Sequence, residues 1–324
     1  MRPDKLVLAT LLTLLLAATT WGQSLQEAPA APSPPATSSL PLNPEQQQLL
    51  QESLKARNYA GAEKLLVAEI EKKPQSAELL KFLASVFFLD GRYLNSAVAL
   101  KKAEKITPLD SPSRFTLALS YIILNHHDWA RPELEALANA EPRNALYPYW
   151  LGRLGYDEMQ FTSAVANLRK ALQLDPTFMK TYDNLGLCYE ALGQYDEAIK
   201  TYQEAMRLNR PKPQPSPWPP VNLGTLLIKL GKLEEADAAL TESLRYDPRF
   251  PQAHYELGLL REKQKRDDDA IAELKQAAEL NPSYAEPHYV LGRIYHRRGD
   301  TKNAEIAFET FHRLKRDNSK SRPQ

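Results

Sequence analysis

The chain has one cysteine, Cys188, in 324 residues. No intramolecular disulfide can form, and no cysteine near the amino end could carry a lipid, so packing alone must hold the fold. Net charge is almost absent too. The 41 Lys and Arg residues oppose 40 Asp and Glu, a formal balance of +1 that sets up no field to draw in nucleic acid. The apolar stretch Leu6 to Ala18 falls short of the roughly 18 to 20 residues a membrane-spanning helix needs. Also missing are a Gly-Xaa-Ser-Xaa-Gly elbow, a His-Glu-Xaa-Xaa-His pair, a phosphate loop and a dinucleotide fingerprint. We therefore expect no catalytic residue, no metal and no cofactor.

What the amino end does have is the three-part build of a secretory signal. Arg2 and Lys5 flank the start, the apolar run follows, and Thr20-Trp21-Gly22 closes it. The expectation is an exported protein of a bacterial periplasm or cell envelope, with cleavage after Gly22. Secretion and an uncleaved anchor are the other readings of the same segment. From Gln23 the composition turns to Ala, Pro and Ser, which offers too little apolar surface to offset chain ordering, so 23–42 reads as a disordered tether.

The remainder is periodic. Pro74, Pro108, Pro142 and Pro176 lie 34 residues apart, and Pro248 and Pro282 repeat that interval after two periods plus four inserted residues. A second series runs through Ala84, Ala118, Gly152, Gly186, Gly224, Gly258 and Gly292. A third comprises Ala62, Ser96, Ala130, Ala164, Ala198, Ala236, Ala270 and Ala304. Within one period Tyr182, Leu185, Gly186 and Tyr189 fall at helical spacing, and after Gly193 so do Ala198, Tyr202 and Ala205. Two short amphipathic helices result. Small residues at Gly186 and Ala198 let their axes approach, Gly193 ends the first helix, and a proline closes each period because it cannot continue the second.

At these residues the chain resembles the tetratricopeptide repeat, and 179–210 match it best. The register places eight repeats starting at 43, 77, 111, 145, 179, 217, 251 and 285, in an array over 43–318 with a short tail at 319–324. The resemblance implies an all-α, right-handed superhelical solenoid of helix-turn-helix units that binds other proteins. Leu50 occupies the small position of the first repeat, and Arg210 and Arg316 stand where proline is expected. Because one helix pair cannot bury its apolar face, neighbours must stack.

The family resemblance further implies that the first helix of each repeat lines a concave groove. The matching positions, with the residue next to them, are Phe115, Tyr149, Trp150, Arg153, Tyr156, Asp183, Asn184, Leu187, Asn222, Tyr255, Tyr289 and Arg293. Tyr, Trp and Arg dominate binding energy once desolvated, so a peptide or protein partner is expected there; the alternative is that some of these aromatics pack between repeats. Dedicated assembly factors for secretion, pilus or outer-membrane machinery, and non-catalytic subunits of envelope enzymes, are rival roles. His126, His127 and Asp128 read as a solvated turn rather than a metal site. The proline-rich stretch 210–220 reads as a spacer between repeats, or alternatively as a docking strand. The last helix lacks a polar outer face, which leaves self-association through it as a further expectation.

Overall fold

The computed structural model describes Thr37 and residues 40–320, with side chains through Asn318. The expected signal at 1–22, the tether as far as residue 36 and the last four residues of the tail lie outside the described residues. Among the described residues there are sixteen α-helices and no strand, and none of the helices is long and apolar enough to cross a membrane. They are α1 (Pro44–Lys55), α2 (Tyr59–Lys72), α3 (Ala77–Leu89), α4 (Tyr93–Glu104), α5 (Ser111–Ile123), α6 (His127–Ala140), α7 (Leu146–Asp157), α8 (Phe161–Leu174), α9 (Met179–Ala191), α10 (Tyr195–Asn209), α11 (Trp218–Lys229), α12 (Leu233–Tyr246), α13 (Pro251–Lys263), α14 (Asp267–Leu280), α15 (Glu286–Arg297) and α16 (Thr301–Lys320). Odd-numbered helices open the repeats and even-numbered helices close them. The expected all-α array of helix-turn-helix units is what these residues form.

The chain divides into two compact units, Met1–Met159 with α1 to α7 and Gln160–Gln324 with α8 to α16. Inside each unit every helix packs on the next. In the second unit the opening helices α9, α11, α13 and α15 also touch in a row.

The glycine series explains how the two helices of a pair come so close. A Cβ built on Gly258 would stand 2.6 Å from Leu274 Cγ, one on Gly224 would stand 2.7 Å from Leu240, and one on Gly292 would stand 2.8 Å from the Phe308 ring. At Gly186 it would run into the Tyr202 ring. Each bulky partner lies sixteen residues after its glycine and fills the vacated space. In the first unit Ala84 and Ala118 hold the same register, both fully buried.

The turn inside most pairs is a Schellman motif, which needs one residue with positive φ. At Gly193, φ is 72°, its N–H donates to Glu190 O, and the next N–H, of Gln194, donates to Tyr189 O. Lys265, with φ 61°, makes the same two bonds through its own and the following N–H. Arg57, Asn125 and Met159 are likewise left-handed. Between pairs of the second unit, the aspartyl or asparaginyl residue before Pro176, Pro248 and Pro282 does the work. Asp175, Asp247 and Asn281 leave the helix in extended conformation, and each accepts a bond from the N–H two residues on, at 2.9, 2.9 and 3.1 Å.

The insertion after α10 is pinned, not loose. Asn209 donates to Ser216 O at 2.7 Å and accepts from Ser216 N at 2.8 Å. Trp218 is buried, edge-on to Phe250 at 4.7 Å, so it is packed inside rather than presented for docking. Arg210, in the place of the absent proline, donates Nε and Nη2 to the Glu242 carboxylate, each at 2.9 Å.

Residues near both ends of the array bond back to their own chain. Leu40 and Leu42, at the end of the stretch expected as tether, are buried, and Lys73 Nζ donates to Pro41 O at 2.6 Å. Two leucines supply there the apolar surface that the Ala, Pro and Ser before them lack. At the other end, Lys315 pairs with Glu286 at 2.5 Å and Asn318 donates to Ser283 O, which lays the polar end of α16 on the start of α15.

Candidate binding groove

In the first unit the expected groove residues sit on α5 and α7 and form a packed aromatic block. Phe115, Tyr149, Trp150 and Arg153 are all buried, Trp150 to 3% exposure. Phe115 meets Tyr147 and Trp150 edge-on, at 5.8 and 6.3 Å, and Trp150 meets Tyr149 at 5.6 Å. Burial and a bond to Glu141 push the Tyr147 hydroxyl up to about 12. Arg153 lies 3.8 Å from Asp157, whose carboxyl burial raises and the Arg153 charge lowers, with burial prevailing. Tyr156 is half-buried. These side chains stabilise the stack they belong to, and few of their atoms reach solvent.

The second unit arranges its residues differently, spreading them over the opening helices α9, α11, α13 and α15, which touch in a row. Asn222 Nδ2 donates to Asp183 Oδ1 at 2.8 Å, which brings together two expected residues 39 positions apart. Asn184 Nδ2 turns back to Lys180 O at 2.7 Å, while Leu187 is half-buried. Tyr255 leans on Tyr284 at 5.2 Å, and burial pushes its hydroxyl far above the usual tyrosine range. Tyr289 keeps 46% of its surface exposed over the rings of Phe308 and Phe311, at 6.0 and 5.3 Å. Arg293 is exposed and paired with Glu262 at 2.5 Å. Tyr255 is thus half-buried here while Tyr289 and Arg293 reach solvent, unlike their counterparts on α5 and α7.

Comparison with known proteins agrees with this architecture. Residues 148–322, more than half the chain, match the family model described as Cilia and flagella-associated protein 70 C-terminal domain. Residues 49–111 match the model described as Tetratricopeptide repeat. The chain belongs to the tetratricopeptide-repeat family. A curated relative, Protein CTR9 homolog of Arabidopsis thaliana, is 28% identical over 164 residues, which is 48% of this chain and 14% of that protein. The chain therefore spans a small part of that relative's length. Among solved structures, a tetratricopeptide repeat protein from Parabacteroides merdae ATCC 43184 shares 15% identity at a TM-score of 0.63, covering 82% of this chain and 98% of its own. PilW, titled a widely conserved type IV pilus biogenesis factor, shares 21% at 0.55, over 61% and 90%. These two likenesses concern the fold. As a tetratricopeptide-repeat protein the chain is a protein-interaction scaffold.

Several residues of the tetratricopeptide face were not singled out from sequence as site residues. Glu190 pairs with Lys229 at 3.2 Å across α9 and α11, and Glu262 holds Arg297 at 3.0 Å as well as Arg293. Glu256 is the least expected. Burial pushes its carboxyl up to about 7, a bond with the Thr225 hydroxyl works the other way, and the Glu190 charge adds to the rise. A signal was present: Glu256 occupies the same position of its repeat as Asn184 and Asn222. Elsewhere, His126 stacks on Trp129 at 4.2 Å, Cys188 is fully buried, and His254 bridges Glu273 at 2.7 Å and Pro248 O at 3.1 Å.

Proposed function

We propose that this scaffold holds an extended segment of a partner protein along the face made by α9, α11, α13 and α15, and that it acts in a bacterial cell envelope without catalysing a reaction. The observation that carries the groove reading is the set of half-buried and exposed side chains on three of these four opening helices: Leu187 on α9, Tyr255 on α13, and Tyr289 and Arg293 on α15. The envelope setting rests on the composition of residues 1–22.

Changing Leu187, Tyr289 and Arg293 together to alanine tests the groove. Tyr289 and Arg293 sit at the surface, so helical circular dichroism should stay unchanged while partners recovered with the wild-type chain from its host are lost. Each true hot spot is worth about 2 kcal/mol or more. Retained capture by a folded triple variant refutes this face as the site. Fractionation of the host with an antibody to the chain tests the setting, and a cytoplasmic pool alone refutes it.

A further inference from the structure

We propose that Arg210 and Arg245, gathered around Glu242, bind a phosphate monoester group in a second site, on closing helices and independent of the groove reading above. An open pocket of about 480 Å³ is lined by Arg210, Glu242, Arg245 and Tyr246, a volume within the range that small ligands occupy. Arg210 caps the end of α10. Glu242, Arg245 and Tyr246 share one face of α12, at intervals of three and four residues.

Glu242 organises the site. It is buried to 8% exposure and accepts from Arg210 Nε, Arg210 Nη2 and the Tyr246 hydroxyl. The Arg245 guanidinium stands 3.8 Å from the same carboxylate, beyond hydrogen-bond length, and its side chain makes no hydrogen bond among the described residues. One carboxylate thus draws two guanidiniums, from the end of α10 and from α12, to the wall of one pocket. Donors are left over, because Arg210 spends on Glu242 two of its five N–H groups and Arg245 spends none. Charge is left over as well: Arg210 matches Glu242, and Arg245 is the surplus. The comparable cluster around Glu262 has none to spare. Arg293 and Arg297 share that carboxylate, but Arg297 also pairs with Asp267, so two cations meet two anions.

The donor set selects the ligand. Guanidinium forks match carboxylate and phosphate oxygens, but two forks reaching in from different elements offer more donors than the two oxygens of one carboxylate can serve. A phosphate monoester brings three acceptor oxygens and a charge of roughly −1.5 to −2 near neutral pH, enough to bridge both. The pocket is larger than a bare ion requires, which leaves room for the organic group that carries the phosphate.

Isothermal titration of the full chain with phenyl phosphate, at fixed ionic strength and above neutral pH where the monoester is mostly a dianion, tests this. One saturable site is expected on the wild-type chain. Arg245→Gln should weaken it about tenfold or more, as for the loss of a hydrogen bond between charged groups. The Arg245 side chain is 70% exposed, so circular dichroism and the urea midpoint should not change. Arg249→Gln removes an exposed arginine outside the pocket lining and should leave the affinity as it was. Benzoate, with a carboxylate on the same ring, should bind about tenfold or more weakly than phenyl phosphate. The proposal is overturned by any of four results: no saturable binding to the wild-type chain, an Arg245→Gln chain that binds like wild type, equal losses from the two arginine variants, or benzoate binding as tightly as phenyl phosphate.

Discussion

Gly258→Ala is the sharpest test of how the helix pairs are built, because two effects of known sign oppose each other there. Alanine in place of glycine inside a helix ordinarily stabilises by about 0.5 to 1 kcal/mol. Here the new methyl would lie 2.6 Å from Leu274 Cγ and 2.8 Å from its Cδ2, where carbon atoms prefer roughly 3.5 to 4 Å. Leu274 cannot easily retreat. It is fully buried in one cluster with Ala270, Val290, Leu291, Ile294 and Ala307. Overpacking of this kind costs about 1 to 3 kcal/mol, so the clash wins and a net loss of about 1 to 2 kcal/mol is expected. Urea titration of the full chain, followed by far-ultraviolet circular dichroism, reads it as a lowered midpoint. The double variant sharpens the reasoning: Leu274→Ala alone costs about 2 to 5 kcal/mol, but it opens the space the new methyl needs. In that background Gly258→Ala should become neutral or stabilising, a strong coupling between the two sites. A Gly258→Ala chain as stable as wild type, or additive losses in the double variant, would refute the close-approach argument.

Three further outcomes follow from other joints. Lys265→Gly should raise stability by about 1 kcal/mol, the usual cost of a left-handed non-glycine residue, since its exposed side chain makes no bond that would be lost; an unchanged urea midpoint contradicts this. The Arg210 bond holds the Glu242 carboxyl below its ordinary value, so its contribution is complete above the unfolded glutamate range and disappears as pH falls through the folded value; Glu242→Gln should flatten the acid limb of a midpoint-against-pH curve. His254 has the opposite sign: the Glu273 bond raises it, so its contribution is full below about 6.5 and is lost as pH rises through the folded value. His254→Gln should therefore cost stability at pH 6 and little at pH 9, and an equal loss at both would show that the bond does not depend on charge.

The helix pairs were legible because their register is written in residues with only one use. Small residues every period mark close axes, and an aspartyl-proline or asparaginyl-proline step marks an ending. Where the same backbone need is met by an unsuited residue, the signal fades: Gly193 announces its turn, whereas Lys265 and Arg57 adopt the same left-handed geometry without a compositional trace. The groove was less legible for a different reason. Periodicity tells which side of a helix a residue occupies, but not whether neighbouring side chains close over it. Phe115, Tyr149, Trp150 and Arg153 share the face assigned to binding and are buried, while Tyr289 and Arg293 at equivalent positions are reachable. Bulk decides this, since four large side chains on two helices fill the concavity they would otherwise line. Glu256 escaped notice because an asparagine series draws the eye to amides, and the change to an acid at the third member reads as its end.

The joint after α10 differs in kind from its neighbours. At Pro176, Pro248 and Pro282 the junction combines a stiff pyrrolidine ring with a short bond local to the turn. At Arg210 the same task falls to two charge-assisted hydrogen bonds reaching 32 residues ahead to Glu242, with the arginine more than half exposed. Ions in solution compete for such a bond and leave a pyrrolidine ring alone. Ionic strength thus becomes a local dial: added salt weakens this long-range tie, while the neutral Asn209–Ser216 bonds and the buried Trp218 keep the joint in place.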